Sequence, residues 1–254
     1  MKIFIAGTKK SETPIKLAKH LKNTTAGYEL VVDDKTFVIN YGRKNIIANL
    51  NKKLSANKIE QLEVLRENNI PVPKIWTINN DMNHRYFKKI TFPLMARKKK
   101  HSRGSDIIFL KTRFSMKKRI ERIKNRDFIV KYIPKEKEYR VHVLGDVAIE
   151  VCEKKHSKKA IENNINIHPH VWSKERGWTL ETIESEGLTE IKELAVKAIK
   201  ALKYDFGAVD LMLGKDNKYY VLEINSAPRL VKHRRIKYAK YFREKEKEYR
   251  NKEK

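Results

Sequence analysis

The strongest constraint in the sequence is a pair of apolar segments that carry acid where a buried strand should carry none. Phe206-Gly207-Ala208-Val209-Asp210-Leu211 and Tyr219-Tyr220-Val221-Leu222-Glu223-Ile224-Asn225-Ser226-Ala227-Pro228 flank Gly214-Lys215-Asp216-Asn217, a hairpin signal. Paired antiparallel, they put Asp210, Glu223 and Asn225 on one sheet face, because side chains alternate and Glu223 and Asn225 are two apart. Such hard oxygen donors suit Mg²⁺, which takes carboxylate and carbonyl oxygens together with the phosphates of a nucleotide. Asp and Asn near strand ends also serve merely to shape turns. Glu223, inside an otherwise apolar strand, needs a cation to be tolerated, and this favours the metal.

The 254 residues leave room for one large domain or two small ones around that hairpin. Lys and Arg number 58 against 31 Asp and Glu, a net charge of +27, which points to an acidic partner. A general richness in Lys, Asn and Ile, as translation of an AT-rich genome gives, accounts for the same charge with no partner at all. The single cysteine, Cys152, excludes an intrachain disulfide and a thiolate zinc site and fits a reducing compartment. Apolar runs are strand-sized, far short of the roughly 20 residues that span a bilayer, so no membrane partner is expected. Residues 1–7, followed by Lys9 and Lys10, are too short an apolar run for a signal peptide, and the expected address is the cytoplasm.

Along the chain, residues 2–6 read as a buried strand and 11–23 as a helix entered through Thr13-Pro14. Residues 36–41 are a second strand, and a helix from Ser55, with Ile59, Leu62 and Leu65 on its apolar side, stops before Ile70-Pro71-Val72-Pro73. Residues 92–96 and 106–110 are short strands joined by a basic loop, 97–105, with one glycine. Ser115 is expected to cap a basic helix running to Asn125. Strands follow at 128–133, 139–144 and 147–151, the last two turning at Gly145-Asp146. Residues 187–203 form the clearest helix, with Ile191, Leu194, Ala195, Ala198, Ile199 and Leu202 on one face. Strands 206–213 and 218–224 come next, and 232–254 is a charged helical pattern.

This order resembles the ATP-grasp superfamily over about residues 50–230. The segments that carry the resemblance are Phe92-Pro93-Leu94-Met95-Ala96-Arg97, a Gly-containing loop, Ile129-Val130-Lys131-Tyr132-Ile133, Glu138-Tyr139-Arg140-Val141-His142-Val143, and finally Asp210 with Glu223-x-Asn225. The nearest likeness is to carboxylate-amine ligases related to the ribosomal-protein S6 glutamate ligase and to ATP-grasp proteins of phages. The resemblance implies an α+β ATP-grasp fold, two α+β subdomains gripping ATP, preceded by a short β/α N-terminal domain. The implied divisions are 1–50 for that domain, 51–130 for the smaller lid subdomain, 131–231 for the catalytic subdomain and 232–254 for a basic C-terminal helix.

It also implies roles. Arg97 stands where the family usually has a lysine reaching the α- and β-phosphates, with Lys98 as the alternative. Residues 101–106 align with the phosphate-covering loop, in which Gly104 and Ser105 let backbone N–H groups approach the nucleotide. Lys131, Tyr132 and Ile133 fall on the hinge whose backbone faces adenine, and Glu138 where a carboxylate meets the ribose hydroxyls. Arg140 and Lys154 supply positive charge to the transferred phosphoryl group, the alternative being ordinary strand-surface cations. Asp210, Glu223 and Asn225 hold Mg²⁺, or Mn²⁺ in its place. Arg229 replaces the usual glycine beside the acyl-acceptor pocket, where its fork offers paired donors to a carboxylate and favours an acidic substrate. Otherwise it turns to solvent with Lys232 and Arg234.

The implied activity is ATP-dependent joining of a carboxylate to an amine through an acylphosphate, with an acidic peptide or protein among the candidate substrates. The rival is a basic nucleic-acid-binding or scaffold protein on an inactive grasp fold. It would use Tyr238-Ala239-Lys240-Tyr241-Phe242-Arg243 to stack bases and follow phosphates without sequence preference. Gly-x-Ser-x-Gly, Walker A and Gly-x-Gly-x-x-Gly motifs are absent. His168-Pro169-His170 lacks the second ligand pair of a zinc site, and His142, between apolar neighbours, reads as a core or nucleotide-side histidine or equally as a base.

Overall fold

The computed structural model describes residues 1–9, 11–29, 33, 35–55, 57–78, 90–98, 107–124, 126–163, 167, 169–184 and 186–253. A small parallel sheet opens the chain: β1 (Lys2–Gly7), β2 (Thr24–Gly27) and β3 (Thr36–Tyr41), in the order β2-β1-β3. β1 and β3 are nearly unbroken buried runs, as strands covered on both faces require. The helix between β1 and β2, α1 (Thr13–Ala18), is shorter than the expected 11–23, because Asn23 adopts a left-handed φ of 50° and turns the chain into β2. Thr24-Thr25-Ala26-Gly27 is too weakly apolar to announce itself as a strand.

Next comes α2 (Lys58–Glu67), capped by Asn57, whose side chain accepts from the N–H groups of Ile59 and Glu60. It lies between two sheets. Ile59 and Leu62 pack toward Ile75, Met95, Phe128 and Val130 of the smaller one. Leu65 enters the core of the larger one. The smaller sheet is antiparallel, in the order β4 (Ile75–Thr77), β7 (Phe128–Lys131), β5 (Leu94–Arg97), β6 (Ile108–Leu110). It is backed by α3 (Arg113–Lys117) and α4 (Ile120–Lys124). The expected single helix capped by Ser115 is thus two. Thr112 is the cap, and Ser115 completes a reciprocal capping box as its third helical residue.

The larger sheet is antiparallel, in the order β10 (Trp178–Ile183), β9 (Val147–His156), β8 (Lys135–Leu144), β11 (Phe206–Gly214), β12 (Tyr219–Asn225). The short α5 (Lys158–Glu162) links β9 toward β10. Alternation sorts its side chains. Tyr139, Val141, Val143, Val209 and Leu211 meet Ile191, Ala195, Ala198 and Ile199 of α6 (Thr189–Ala201), where each fully buried Ile is worth about 1.5–3 kcal/mol. Glu138, Arg140, His142 and Asp210 face the other way. In the register, Asp210 opposes Arg140 on one side and Glu223 on the other. A bulge then shifts the β11/β12 pairing so that Leu211 meets Val221, which keeps Val221 in the core while Glu223 stays on the polar face.

The terminal helix, α7 (Lys232–Lys252), is no free basic tail. Tyr238, Ala239 and Phe242 are buried with Ile5, Phe37, Tyr41, Leu144 and Phe206, joining the first sheet to the end of the larger one. The Tyr241 hydroxyl donates to the carbonyl of Asp205 at 3.0 Å. These aromatics are therefore committed to packing, which removes the base-stacking surface expected of 238–243. No helix among the described residues is long and apolar enough to cross a membrane.

Candidate active site

The polar face of the larger sheet brings Asp210, Glu223 and Asn225 together, as alternation requires. The amide Nδ2 of Asn225 lies 3.4 Å from Asp210 Oδ2 and 3.5 Å from Glu223 Oε1. Each carboxylate already holds a cation. Arg140 grips Asp210 in a two-pronged fork, Nε to Oδ1 at 2.6 Å and Nη2 to Oδ2 at 2.8 Å. Lys58, from the first turn of α2, places Nζ 2.5 Å from Glu223 Oε2. Gln61, one turn along α2, exchanges both amide hydrogen bonds with the backbone of Ile224, fixing α2 against β12 at that point.

Lys58 and burial oppose each other at Glu223. The ammonium wins and holds the carboxyl far below the usual carboxylate range, with Arg97 and Arg140 adding to it. At Asp210 burial prevails and pushes the carboxyl up, against the pull of Arg140 and with the Glu223 charge assisting. The Arg140 guanidinium is raised by Asp210. Burial lowers Lys58 and Arg97, which also repel one another.

Glu138, one residue pair along the same face, is 5% exposed and sits under two lysines. Lys135 Nζ lies 2.5 Å from Oε2, and Lys154 pairs with Oε1. Burial alone would raise this carboxyl, but Lys135 and Lys154 hold it below its ordinary value. Glu138, expected to meet the ribose hydroxyls, is thus paired with two lysines, one of them Lys154. Arg97, on β5 of the smaller sheet, acts electrostatically on both Glu223 and Glu138, so charges from both sheets meet here. Its neighbour Lys98 is exposed.

The hinge differs from expectation in its hydrogen bonding. The N–H of Lys131 donates to Lys74 O at 2.8 Å and that of Tyr132 to Pro93 O at 3.1 Å, so neither is free for adenine. The Lys131 ammonium donates to the carbonyls of Thr91 and Phe92. Ile133 packs beside Gly214. The Tyr132 hydroxyl meets His170 Nδ1 at 2.8 Å, and His170 stacks on Phe109 of the smaller sheet. Gly104 and Ser105, with the rest of the expected phosphate-covering loop, and His168 lie outside the described residues. Arg229 is exposed, its charge reaching Glu12 ahead of α1. Arg234 does not turn to solvent: it is buried and paired with Glu150, with Nη2 3.0 Å from Cys152 Sγ. His142 is a core histidine, hydrogen-bonded to the Tyr238 hydroxyl at 3.0 Å and pushed down by burial to about 3.

Lys58 and Lys135 complete the cluster without having been singled out in the sequence. For Lys58 a signal existed: a lysine in the first turn of a helix opposes the macrodipole unless a carboxylate waits for it. Five cations, Lys58, Arg97, Lys135, Arg140 and Lys154, thus face three carboxylates, Glu138, Asp210 and Glu223. Among the described residues no three His, Cys, Asp or Glu side chains converge as a ready metal cage. The donor set of two carboxylates and an amide still fits Mg²⁺, which binds few protein ligands and keeps oxygens of water and phosphate for the rest.

Two sheets closing on a cationic cleft, one bearing an Asp-Glu-Asn edge, define a nucleotide-grasping protein. A family profile described as a RimK-like ATP-grasp domain matches residues 55–240, and the chain belongs to that family. Membership gives it ATP-grasp ligase chemistry at the level of the superfamily. Among solved structures, the D-alanine–D-alanine ligase of Bacillus anthracis is similar with a TM-score of 0.71 at 16% identity, covering 100% of both chains. The ATP-grasp ligase PsnB complexed with precursor peptide PsnA2 and AMPPNP is similar at 0.68 and 13% identity, over 96% of this chain and 97% of that one. N5-carboxyaminoimidazole synthetase of Staphylococcus aureus, complexed with ADP, is similar at 0.63 and 12%, over 90% of this chain and 71% of that one. At such identities the likeness is one of fold. No curated protein matches the chain in sequence.

Proposed function

We propose that this protein joins a carboxylate to an amine at the expense of ATP. The observation that carries the reading is the excess of cations over carboxylates across the cleft, a charge balance that a polyphosphate completes. A substrate carboxylate oxygen attacks the γ-phosphorus, and the bond to the β-phosphate oxygen breaks with its electrons leaving on ADP. The amine nitrogen then attacks the acyl carbon of the acylphosphate, phosphate departs with the C–O bonding pair, and the nitrogen loses a proton. No protein nucleophile is needed, so the chain's task is to position and neutralise.

Asp210, Glu223 and Asn225 would hold Mg²⁺ or Mn²⁺, which when bound supplies charge neutralisation at the phosphates. Lys58, released from Glu223, and Arg97 serve the phosphate chain. Arg140 and Lys154 supply positive charge to the transferred phosphoryl group. Glu138 either turns to the ribose once its lysines engage phosphate or remains their anchor. Lys131, Tyr132 and Ile133 flank the base, and Gly104 and Ser105 cover the phosphates. Arg229 receives a substrate carboxylate. The test is ADP release from Mg·ATP across a panel of amino acids, acidic peptides and amines. Substrate-dependent ADP, lost in Glu223→Ala with the fold retained, is expected. The reading fails if no substrate or acceptor ever stimulates release, or if Glu223→Ala keeps wild-type rates.

A further inference from the structure

Beyond the cleft, the first sheet has its own ligand-binding geometry. In an open parallel sheet, ligands lie beyond the carboxyl ends of the strands where the strand order reverses. Here β1 is the central strand, and β1 and β3 end side by side at Gly7 and Tyr41. Lys9, Tyr28 and Arg43 stand just past the ends of β1, β2 and β3. Both cations are gathered on one ring, Lys9 Nζ 4.8 Å and Arg43 Cζ 4.5 Å from the Tyr28 centroid. An aromatic face attracts cations without neutralising them.

Arg43 also lines a cavity of about 260 Å³ with Lys52 and Lys53, against Asn40 and Glu60. Among the described residues no salt bridge joins a carboxylate to Lys9, Arg43, Lys52 or Lys53. The loop that displays them is built rigidly. Buried Asn40 donates to Arg43 O at 2.9 Å and Asn51 O at 3.1 Å and accepts from the Arg43 N–H at 2.8 Å. It also abuts the candidate active site. The Tyr41 hydroxyl donates to Pro228 O at 2.5 Å. Gly42, at φ +87°, lies so close that a Cβ there would sit 2.6 Å from the Ala227 side chain, two residues past Asn225.

We infer that this crevice binds the carboxylates of an acidic peptide and feeds one end of it to the Glu223–Asn225 edge. Its cations are spread over two loops, Lys9 after β1 and Arg43, Lys52 and Lys53 between β3 and α2, which suits charges strung along a flexible chain better than a single phosphate. The inference rests on the ligase reading for its purpose, but its binding test stands alone.

The full-length protein is titrated with fluorescein-labelled tetra-aspartate, and with tetra-asparagine, at physiological salt. Mg·AMPPNP binding is measured in parallel. Arg43→Ala with Lys53→Ala is expected to weaken tetra-aspartate at least tenfold while nucleotide affinity and melting temperature hold. Lys52→Gln with Lys53→Gln, both exposed, gives the same result should the first pair unfold. Lys240→Ala with Lys247→Ala, an equal charge change on the exposed side of α7, is expected to cost under twofold. Equal weakening by the α7 pair, equal binding of tetra-asparagine, or displacement of the peptide by inorganic phosphate at comparable concentration would each overturn the inference. Failure of nucleotide binding in the wild type would sink the ligase reading instead.

Discussion

Lys58→Met tests the centre of the site, because it keeps the aliphatic stem and removes only the charge. In the nucleotide-free protein the substitution leaves Glu223 without its 2.5 Å partner, though still within the fields of Arg97 and Arg140. Breaking a fully buried ion pair costs about 3–5 kcal/mol. Glu223 is 36% exposed, so solvent takes up part of that, and about 2 kcal/mol of unfolding free energy is expected to be lost at pH 7. The loss should depend on pH in a definite direction. The folded-state carboxyl is depressed by Lys58, so its stabilisation is present above the ordinary carboxylate range and disappears as pH falls through the depressed value. The gap between wild type and variant therefore begins to narrow below about pH 4. Burial also lowers the ammonium of Lys58. Mg·ATP affinity, by calorimetry, should fall about tenfold to hundredfold for one lost charged contact. Urea denaturation at pH 7 and pH 3.5 gives the stability difference. A variant as stable as wild type at pH 7, with unchanged Mg·ATP affinity, would refute the role given to Lys58.

Arg140→Gln leaves Asp210 buried without its fork and is expected to abolish ADP release and to cost about 3 kcal/mol or more in stability, read by activity assay and melting temperature. Asn51→Ala removes the side chain that accepts from Asp205 N and Phe206 N and donates to Phe206 O, at a left-handed φ of 51°, and should cost about 3 kcal/mol by denaturation. Phe242→Ala should lower stability by about 3–5 kcal/mol while leaving any low-salt affinity for nucleic acid unchanged, since the ring is buried. His142 is held near 3 when folded, so the unfolded chain takes up its proton first and stability falls with pH between about 6.5 and 3, at about 1.4 kcal/mol per pH unit. His142→Gln should flatten the slope of unfolding free energy against pH between 6.5 and 5.

The Asp210, Glu223 and Asn225 edge was legible because a strand has a period of two, and acids at that period in an apolar run leave few arrangements. What alternation could not reveal was the company they keep. Lys58 opposes the macrodipole of its helix, but the sequence does not say which carboxylate it meets; the packing of Gln61 on Ile224 holds its first turn against β12. The lysines over Glu138 depend likewise on strand register, since Lys154 belongs to the adjacent β9. In α7 three buried apolar positions are hidden among Lys, Arg and Glu, so composition hid a helix that the core needs. At the expected hinge, long-range hydrogen bonds from Lys131 N to Lys74 O and from Tyr132 N to Pro93 O, which sequence could not announce, engage both N–H groups.

Through these pairings five cations share three carboxylates. Each carboxylate that serves a metal or a sugar in the ligase reading is, in the free protein, the counter-ion of a lysine or arginine that serves phosphate. In that reading the arrival of Mg·ATP would be an exchange, Glu223 and Asp210 passing to the metal while Lys58 and Arg97 passed to the polyphosphate, so few charges would be left unpaired. A site of this kind also resists partial occupancy. Metal without phosphate would strand the buried lysine, and phosphate without metal would strand the carboxylates, each at the cost of an unpaired buried charge. Metal and nucleotide should accordingly bind with positive coupling, each raising the affinity of the other by the same factor.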